Sequence, residues 1–247
     1  MSGRPVVWIT RPQPGATRTA GMLAEAGYEP FLLPLTEIRA CDPGLSPGDV
    51  AGFDAIAVTS ANAFRHAPAA LLESLSGKPV YAVGDATAAE ARSRGFAAVE
   101  SGGGGVDDLV SLIAKWERPG TSVLYLCGRI RTGDLDRKLE EKGIQCRAAE
   151  VYTAEIVSYP TEYFRNALNR HAPDAVLFHS TLSATAFTGS VLPLLSQDFE
   201  KTMFFVLSPR IAAAFPAALK PRTAIAAEPN ERALLAALRT DLPIPGN

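Results

Sequence analysis

Six short turns of mostly small polar residues each follow an apolar run, and they carry most of the candidate ligand-binding groups in the chain. Their hydroxyl and amide side chains form hydrogen bonds, and a helix that begins there exposes unpaired N–H groups at the positive end of its dipole. Such groups suit an anionic ligand. The same residue types are ordinary helix N-caps, which is the better interpretation of any single turn. The turns span 10–12, 59–62, 84–87, 127–129, 179–181 and 208–210.

Tyr152 is a candidate of a different kind, because it is a phenol at the end of an apolar run. A phenol with a pKa of about 10 stays protonated at neutral pH and can donate a proton or a hydrogen bond to a leaving oxygen. This role needs an exposed hydroxyl. The alternative is a half-buried strand tyrosine with its hydroxyl in water, which is the better interpretation of the residue taken alone.

Other catalytic signatures are missing from the sequence. The glycines at 102–105 do not extend to G-x-G-x-x-G, and no Lys-Ser/Thr follows them, so a flexible loop is favoured over a nucleotide cradle. Without G-x-S-x-G, Ser60 and Ser180 are poor hydrolase nucleophiles. His179 and Ser180 are adjacent at a strand end and would point to opposite faces, which disfavours a Ser–His pair. The three histidines lack metal-ligand spacing, and we expect no metal site.

Composition narrows the class of protein. The 247 residues include 24 Lys+Arg and 26 Asp+Glu, a formal net charge of −2, which argues against nucleic-acid binding. No apolar run approaches the roughly 20 residues of a membrane span, so we expect no membrane partner and a cytoplasmic location. Three cysteines without C-x-x-C spacing (Cys41, Cys127 and Cys146) suit a reducing compartment.

The elements that must position these residues repeat in one order: an apolar run, a polar turn and a helix-like segment. This pattern is typical of parallel α/β units, whose turns share the carboxyl edge of a sheet. Two such edges facing each other across a cleft would bind a large ligand with many carboxylates. Ten short strands predict two sheets of about five. The predicted strands are 6–9, 30–33, 55–58, 80–83, 97–99, 123–126, 149–152, 175–178, 204–207 and 224–227.

An internal repeat supports two similar domains. Segment 6–11 resembles 123–128, and the helices that follow end at Gly27 and Gly143, which are 116 residues apart. Segment 53–60 resembles 173–180 at an offset of 120, and 83–89 resembles 207–213 at an offset of 124. Slowly drifting offsets indicate a duplication with small insertions. The extended segments 34–39 and 151–156 are candidates for the bridge between the two domains.

An ordered set of motifs runs along nearly the whole chain: 9–12 with Gly27, 58–63, 83–88, 126–128, 151–153, 178–180, and 227–229 leading into 233–235. This set resembles the uroporphyrinogen-III synthase family. The resemblance implies two flavodoxin-like parallel-sheet domains joined by a two-stranded ladder, with the active site in the cleft between them. It implies a discontinuous domain of 1–36 plus 155–247 and an inserted domain of 39–152.

The resemblance also implies the reaction. A lyase of heme biosynthesis would close the linear tetrapyrrole hydroxymethylbilane into uroporphyrinogen III, invert ring D through a spiro intermediate and release water. It would use no cofactor and act as a monomer. The eight carboxylates of this substrate match the ligand class that the turns suit. A non-catalytic, two-lobed binding protein for anionic small molecules is the alternative.

Two residues carry the implied catalysis. Thr87 matches a family threonine, and Tyr152 matches a tyrosine proposed to assist departure of the hydroxyl. The chain departs from the family at 208–212, where Ser-Pro-Arg-Ile-Ala replaces Gly-Pro-Thr-Thr-Ala. Arg210 could pair a substrate carboxylate, whereas Ile211 cannot form a hydrogen bond. The expected substrate-binding residues are Thr10, Arg11, Ser60, Asn62, Gly84, Gly128, Ser180, Ser208 and Arg210.

Overall fold

The computed structural model describes residues 3–46, 48–131 and 133–244. The chain divides into two compact units, each an α/β structure: unit 1 runs up to Glu37 and resumes at Glu155, and unit 2 is Ile38–Ala154. The strands of the described residues are β1 (Val6–Ile9), β2 (Glu29–Leu32), β3 (Thr36–Ala40), β4 (Ala55–Val58), β5 (Val80–Ala82), β6 (Val99–Ser101), β7 (Ser122–Gly128), β8 (Gln145–Ile156), β9 (Ala175–Phe178), β10 (Met203–Val206) and β11 (Thr223–Ile225).

Helices follow most of the strands and cover both faces of each sheet. A π-helical turn at 187–191 and 3₁₀ turns at 196–199 and 217–222 complete the helical segments. The α-helices are α1 (Gly15–Glu25), α2 (Ala61–His66), α3 (Ala69–Leu75), α4 (Asp85–Ser93), α5 (Val106–Trp116), α6 (Leu135–Glu140), α7 (Thr161–Arg170), α8 (Thr181–Ala186), α9 (Leu192–Leu195), α10 (Pro209–Ala212) and α11 (Glu231–Asp241).

The two sheets share one topology. Unit 1 has the order β11-β10-β9-β1-β2, with parallel pairing throughout. Renumbered within the unit this is 2-1-3-4-5, the flavodoxin-like order. In unit 2 the order is β3-β8-β7-β4-β5-β6, in which β7 and β8 occupy the places of β1 and β2. The fold therefore confirms the predicted parallel α/β sheets, and the sequence repeat matches β1 with β7, β4 with β9, and β5 with β10.

The strands β3 and β8 contain the predicted bridge segments. Hydrogen bonds from Cys41 N to Val151 O (2.9 Å) and from Val157 N to Leu35 O (3.0 Å) show that the two segments run antiparallel. They correspond to the expected two-stranded ladder. β8 extends over twelve residues, longer than the predicted 149–152, because its first residues alternate in exposure and do not form an apolar run.

Apolar side chains on both faces hold each sheet between helices. In β1, Trp8 packs on one face with Phe178 and Phe204, and its neighbours Val7 and Ile9 pack on the other. All four residues of β4 are buried, as expected for a central parallel strand covered on both sides. The burial of these runs places the polar turns after the strands at the carboxyl edges.

Candidate active site

A cavity of about 280 Å³ lies within unit 2 at the carboxyl ends of β4 and β7. These are the neighbouring strands at which the flavodoxin-like order reverses, where open α/β sheets bind ligands. Three expected site residues line the cavity, namely Ser60, Gly128 and Tyr152. The remaining lining residues are Thr59, Val83, Gly104, Val106, Tyr125, Ile130 and Arg131.

Tyr152 is half-buried on β8, as the residue type and its place in a strand suggest, and it lines the cavity. Burial raises the pKa of Tyr152 above its usual value of 10, an interaction with the Ser60 side chain offsets part of that rise, and Cys127 adds to it. The phenol is therefore protonated across the physiological range. It can donate a proton or a hydrogen bond into the cavity, and it can accept a proton only after it has donated its own.

Gly128 gives the Tyr152 ring its space. The register between β7 and β8 shifts between Cys127 and Gly128, which brings Gly128 opposite Tyr152. A Cβ atom on Gly128 would lie 2.7 Å from both Cε2 and Cζ of Tyr152, and 3.0 Å from its hydroxyl. Any larger residue would push the phenol away from its present position.

A second phenol, Tyr125, faces the same cavity. Its hydroxyl forms a 2.8 Å hydrogen bond with Thr59 Oγ1. Burial raises the pKa of Tyr125 to about 12, the Thr59 hydrogen bond lowers it in part, and the nearby Cys127 and Tyr152 contribute smaller increases. Sequence reasoning missed Tyr125 because it lies in the middle of an apolar strand and has the pattern of a core residue.

His66 lies at the end of α2, and its ring centroid is 6.3 Å from that of Tyr152. Burial, with the positive charges of Arg65 and Arg94, lowers the pKa of His66 below 6.5. The imidazole is therefore neutral at neutral pH. His66 does not line the cavity.

Asn62, Gly84 and Thr87 lie at the same sheet edge but outside the cavity lining. Ser60 caps α2 by accepting a hydrogen bond from Asn62 N at 3.2 Å, as the capping interpretation predicts. Gly84 is the N-cap residue of α4. The side chain of Thr87 is buried and makes no hydrogen bond to any described residue. The Thr87 hydroxyl thus lacks a structural partner in the described chain.

At the equivalent carboxyl edge of unit 1, two of the expected side chains already form contacts within the protein. Thr10 is fully buried and donates to Leu177 O at 2.7 Å, which leaves its hydroxyl no proton to donate to a ligand. Arg11 Nη1 donates to Glu231 Oε2 at 2.6 Å. These contacts do not support the expected ligand roles of either side chain. The hydrogen bond of Thr10 instead connects the end of β1 to β9, and the ion pair of Arg11 contacts the first residue of α11.

Glu231 is the centre of this polar network. It accepts from Thr19 Oγ1 at 2.5 Å and lies 3.3 Å from His179 Nε2. Burial works to raise the pKa of Glu231, but His179, Thr19 and Arg11 outweigh it and lower the value to about 2. Burial also lowers the pKa of His179, despite the neighbouring carboxylate. A neutral His179 beside an ionised Glu231 is therefore the state at neutral pH.

Comparison with known proteins identifies the chain's relatives. Residues 17–236 match the family model described as uroporphyrinogen-III synthase HemD. The chain belongs to the uroporphyrinogen-III synthase family. It is thus an enzyme of tetrapyrrole biosynthesis that acts on a small-molecule tetrapyrrole.

Solved structures with uroporphyrinogen-III synthase titles have the same fold. The uroporphyrinogen-III synthetase of Helicobacter pylori is 23% identical, with a TM-score of 0.61 over 97% of this chain and 99% of that one. A mutant uroporphyrinogen III synthase of Thermus thermophilus is 17% identical, with a TM-score of 0.54 over 96% and 98%. Both matches therefore extend over nearly the full length of the two chains compared.

The remaining expected residues of unit 1 lie at the turns before α8 and α10. Ser180 caps α8 by accepting from Ser183 N at 3.1 Å. Ser208 precedes α10 without a side-chain cap, and Arg210 is exposed with no side-chain partner among the described residues. Ile211, where the synthase family has a threonine, is buried in the core. The aliphatic replacement thus packs inward, and Arg210 is the polar group left at the surface.

No helix among the described residues is long and apolar enough to cross a membrane. In the same ranges, no cluster of three His, Cys, Asp or Glu side chains could hold a metal ion.

Proposed function

We propose that this chain is a lyase that cyclises hydroxymethylbilane to uroporphyrinogen III with inversion of ring D and loss of water. The family match over residues 17–236 carries this proposal. The cavity supports it independently, because two protonated phenols face a space at the strand pair where a ligand is expected.

Tyr152 is the proposed proton donor. As the C–O bond of the hydroxymethyl group breaks, the pyrrole nitrogen lone pair stabilises the carbon, and the departing hydroxyl takes the phenolic proton and leaves as water. The substituted α carbon of the terminal ring then attacks this carbon to form the spiro intermediate. The bond from that α carbon to its original bridging carbon breaks, and the bridging carbon bonds instead to the free α carbon of the same ring, which inverts the ring. The proton lost from the ring-closing carbon restores the phenol, so the net change is the loss of one water molecule. Proton donation of this kind contributes about 10²- to 10⁴-fold in rate.

Positioning is proposed to supply most of the remaining rate enhancement. In unit 2, Ser60 and Thr87 would orient the substrate, with further backbone contacts at Asn62 and Gly84. At the carboxyl edge of unit 1, we retain Ser180, Ser208 and Arg210 as proposed contacts for substrate carboxylates. Arg210 suits this role because it is exposed and without a partner in the described chain.

We further propose that the enzyme works as a monomer in the cytoplasm and without a cofactor. All three cysteines are free thiols, which suits a reducing compartment. Light scattering tests the monomer, and turnover after exhaustive dialysis against a chelator tests independence from a metal.

Incubation of the purified chain with hydroxymethylbilane, followed by separation of the isomers, tests the proposed function. Spontaneous closure gives uroporphyrinogen I, so an excess of the type III isomer is the expected result. Formation of the type I isomer alone would contradict the proposal. Binding of the substrate without type III product would instead support the non-catalytic binding protein.

A further inference from the structure

Arg131 is the only charged side chain lining the cavity among the described residues. It lies three residues beyond the end of β7, in the loop before α6. The other lining side chains are apolar or carry neutral hydroxyls, and no carboxylate is present to neutralise the guanidinium within the cavity wall. A single positive charge thus faces a space that contains two phenols.

Two contacts hold the guanidinium in place. Arg131 Nη1 donates to Cys127 Sγ at 3.2 Å and lies 3.8 Å from Glu150 Oε1. Burial raises the pKa of the Cys127 thiol, despite its bond to Arg131, so the sulfur is a neutral acceptor. It orients Arg131 without cancelling its charge.

Glu150 does not neutralise the cavity charge either. It is shared with Arg129, whose Nε approaches Glu150 Oε2 at 3.3 Å, closer than the approach of Arg131. Two guanidinium groups therefore share this carboxylate. Asp136 also acts electrostatically on Arg131, but neither carboxylate lines the cavity. Arg129 is 62% exposed and does not line the cavity, whereas Arg131 does.

We propose that Arg131 binds one carboxylate of the tetrapyrrole substrate and thereby sets the orientation of the reacting ring beside Tyr152. This inference rests on the proposed function, and it adds a specificity-determining residue that the motifs did not indicate. A guanidinium holds a carboxylate through two parallel hydrogen bonds, which fixes direction as well as distance. A substrate ring anchored in this way is presented in one orientation, which suppresses ring closure without inversion.

The test compares Arg131→Gln, Arg131→Lys and Arg129→Gln with the wild type. Loss of a charge-assisted hydrogen bond predicts a rise in KM of about tenfold for Arg131→Gln, with a larger fraction of type I product. Arg131→Lys keeps the charge but loses the two-pronged geometry, so its KM should be intermediate. Arg129→Gln, the matched control from the same loop, should change KM less than about twofold because that side chain is outside the cavity.

Salt dependence provides a second readout. Because the proposed contact is ionic, the KM of the wild type should rise with ionic strength more steeply than that of Arg131→Gln. Should Arg131→Gln fail to fold in thermal melts, Arg131→Lys still tests the inference through KM and salt dependence.

The inference is overturned if the wild type forms type III product and Arg131→Gln, or a folded Arg131→Lys in its place, keeps the wild-type KM, salt dependence and isomer ratio. Equal effects of Arg129→Gln and Arg131→Gln would also overturn it, since they would indicate a general surface charge effect. Failure of the wild type to form any type III product is a different result, which contradicts the proposed function.

Discussion

Replacing Gly128 with alanine is expected to impair catalysis by moving Tyr152. The new Cβ would lie 2.7 Å from Cε2 and Cζ of the Tyr152 ring, whereas an ordinary contact begins at 3.4 Å, so the ring must shift by about 0.7 Å. The contacted atoms are the far end of a side chain, which can move without displacing backbone. Gly128 does not have a positive φ, so alanine adds no backbone strain.

The size of the effect follows from this displacement. Misplacement of a reacting group by about 1 Å costs on the order of 10²-fold in rate, so a shift of this size predicts a loss of about tenfold in kcat. KM should change little if the substrate carboxylates are held elsewhere. Because the ring can yield, the loss of stability should lie near the low end of the about 1–3 kcal/mol typical of overpacking.

The assay is steady-state turnover of hydroxymethylbilane with the isomers separated, alongside thermal melts. Gly77→Ala is the matched control, because a Cβ there meets nothing within 4 Å and Gly77 belongs to the same unit. In a Tyr152→Phe background, Gly128→Ala should cost little further activity, since no hydroxyl remains to be misplaced. Normal kcat for Gly128→Ala, or full additivity with Tyr152→Phe, would refute the reasoning.

Three further predictions concern other groups. Thr87→Val keeps the side-chain volume and removes the unpartnered hydroxyl, so kcat/KM should fall by about tenfold while Tm shifts less than about 2 °C; a lower Tm with normal activity would indicate a purely structural residue. Glu231, with its pKa lowered to about 2, contributes stability that is present above pH 4.5 and lost as pH falls toward 2. Glu231→Gln should therefore reduce the free energy of unfolding by on the order of 3 kcal/mol near pH 7, and the difference should shrink below pH 4.5 in urea titrations; a constant difference across that range would contradict this assignment. Because burial raises the pKa values of Tyr125 and Tyr152, kcat should show no alkaline loss up to about pH 9 from these phenols, and an apparent pKa near 8 that disappears in Tyr152→Phe would show that the phenol ionises earlier.

The fold was largely predictable because its strands are short apolar runs between turns. Central strands such as β1, β4 and β9 are buried on both faces, so their sequences match their predicted bounds. The bounds of strands with an exposed face were predicted less accurately. β6 begins two residues later than predicted, at Val99, because it alternates buried and exposed side chains and ends in Ser101.

The candidate site was predictable only where chemistry follows directly from a turn. Ser60, Gly128 and Tyr152 line one cavity, but Tyr125 and Arg131 were missed. Tyr125 has the pattern of a core residue, and only the structure shows that its hydroxyl reaches Thr59. Arg131 lies in a loop, and the sequence does not distinguish it from an arginine exposed to solvent.

Contacts between residues far apart in the sequence explain the remaining differences between the predicted site and the structure. Arg11 and Glu231 are 220 positions apart, and no local pattern indicates that they form an ion pair. Thr10 has the residue type of a ligand-binding turn, but the register of β1 against β9 buries it against Leu177 O. Both depend on how distant strands meet, which residue types alone do not specify.

The most direct test of the central claim is the single-turnover rate of Tyr152→Phe on hydroxymethylbilane, with both isomers quantified. We predict that type III product still forms, because positioning remains, but about 10²-fold more slowly than in the wild type, with Tm nearly unchanged. A rate equal to that of the wild type would contradict the account, since the phenol would then have no part in the departure of the hydroxyl.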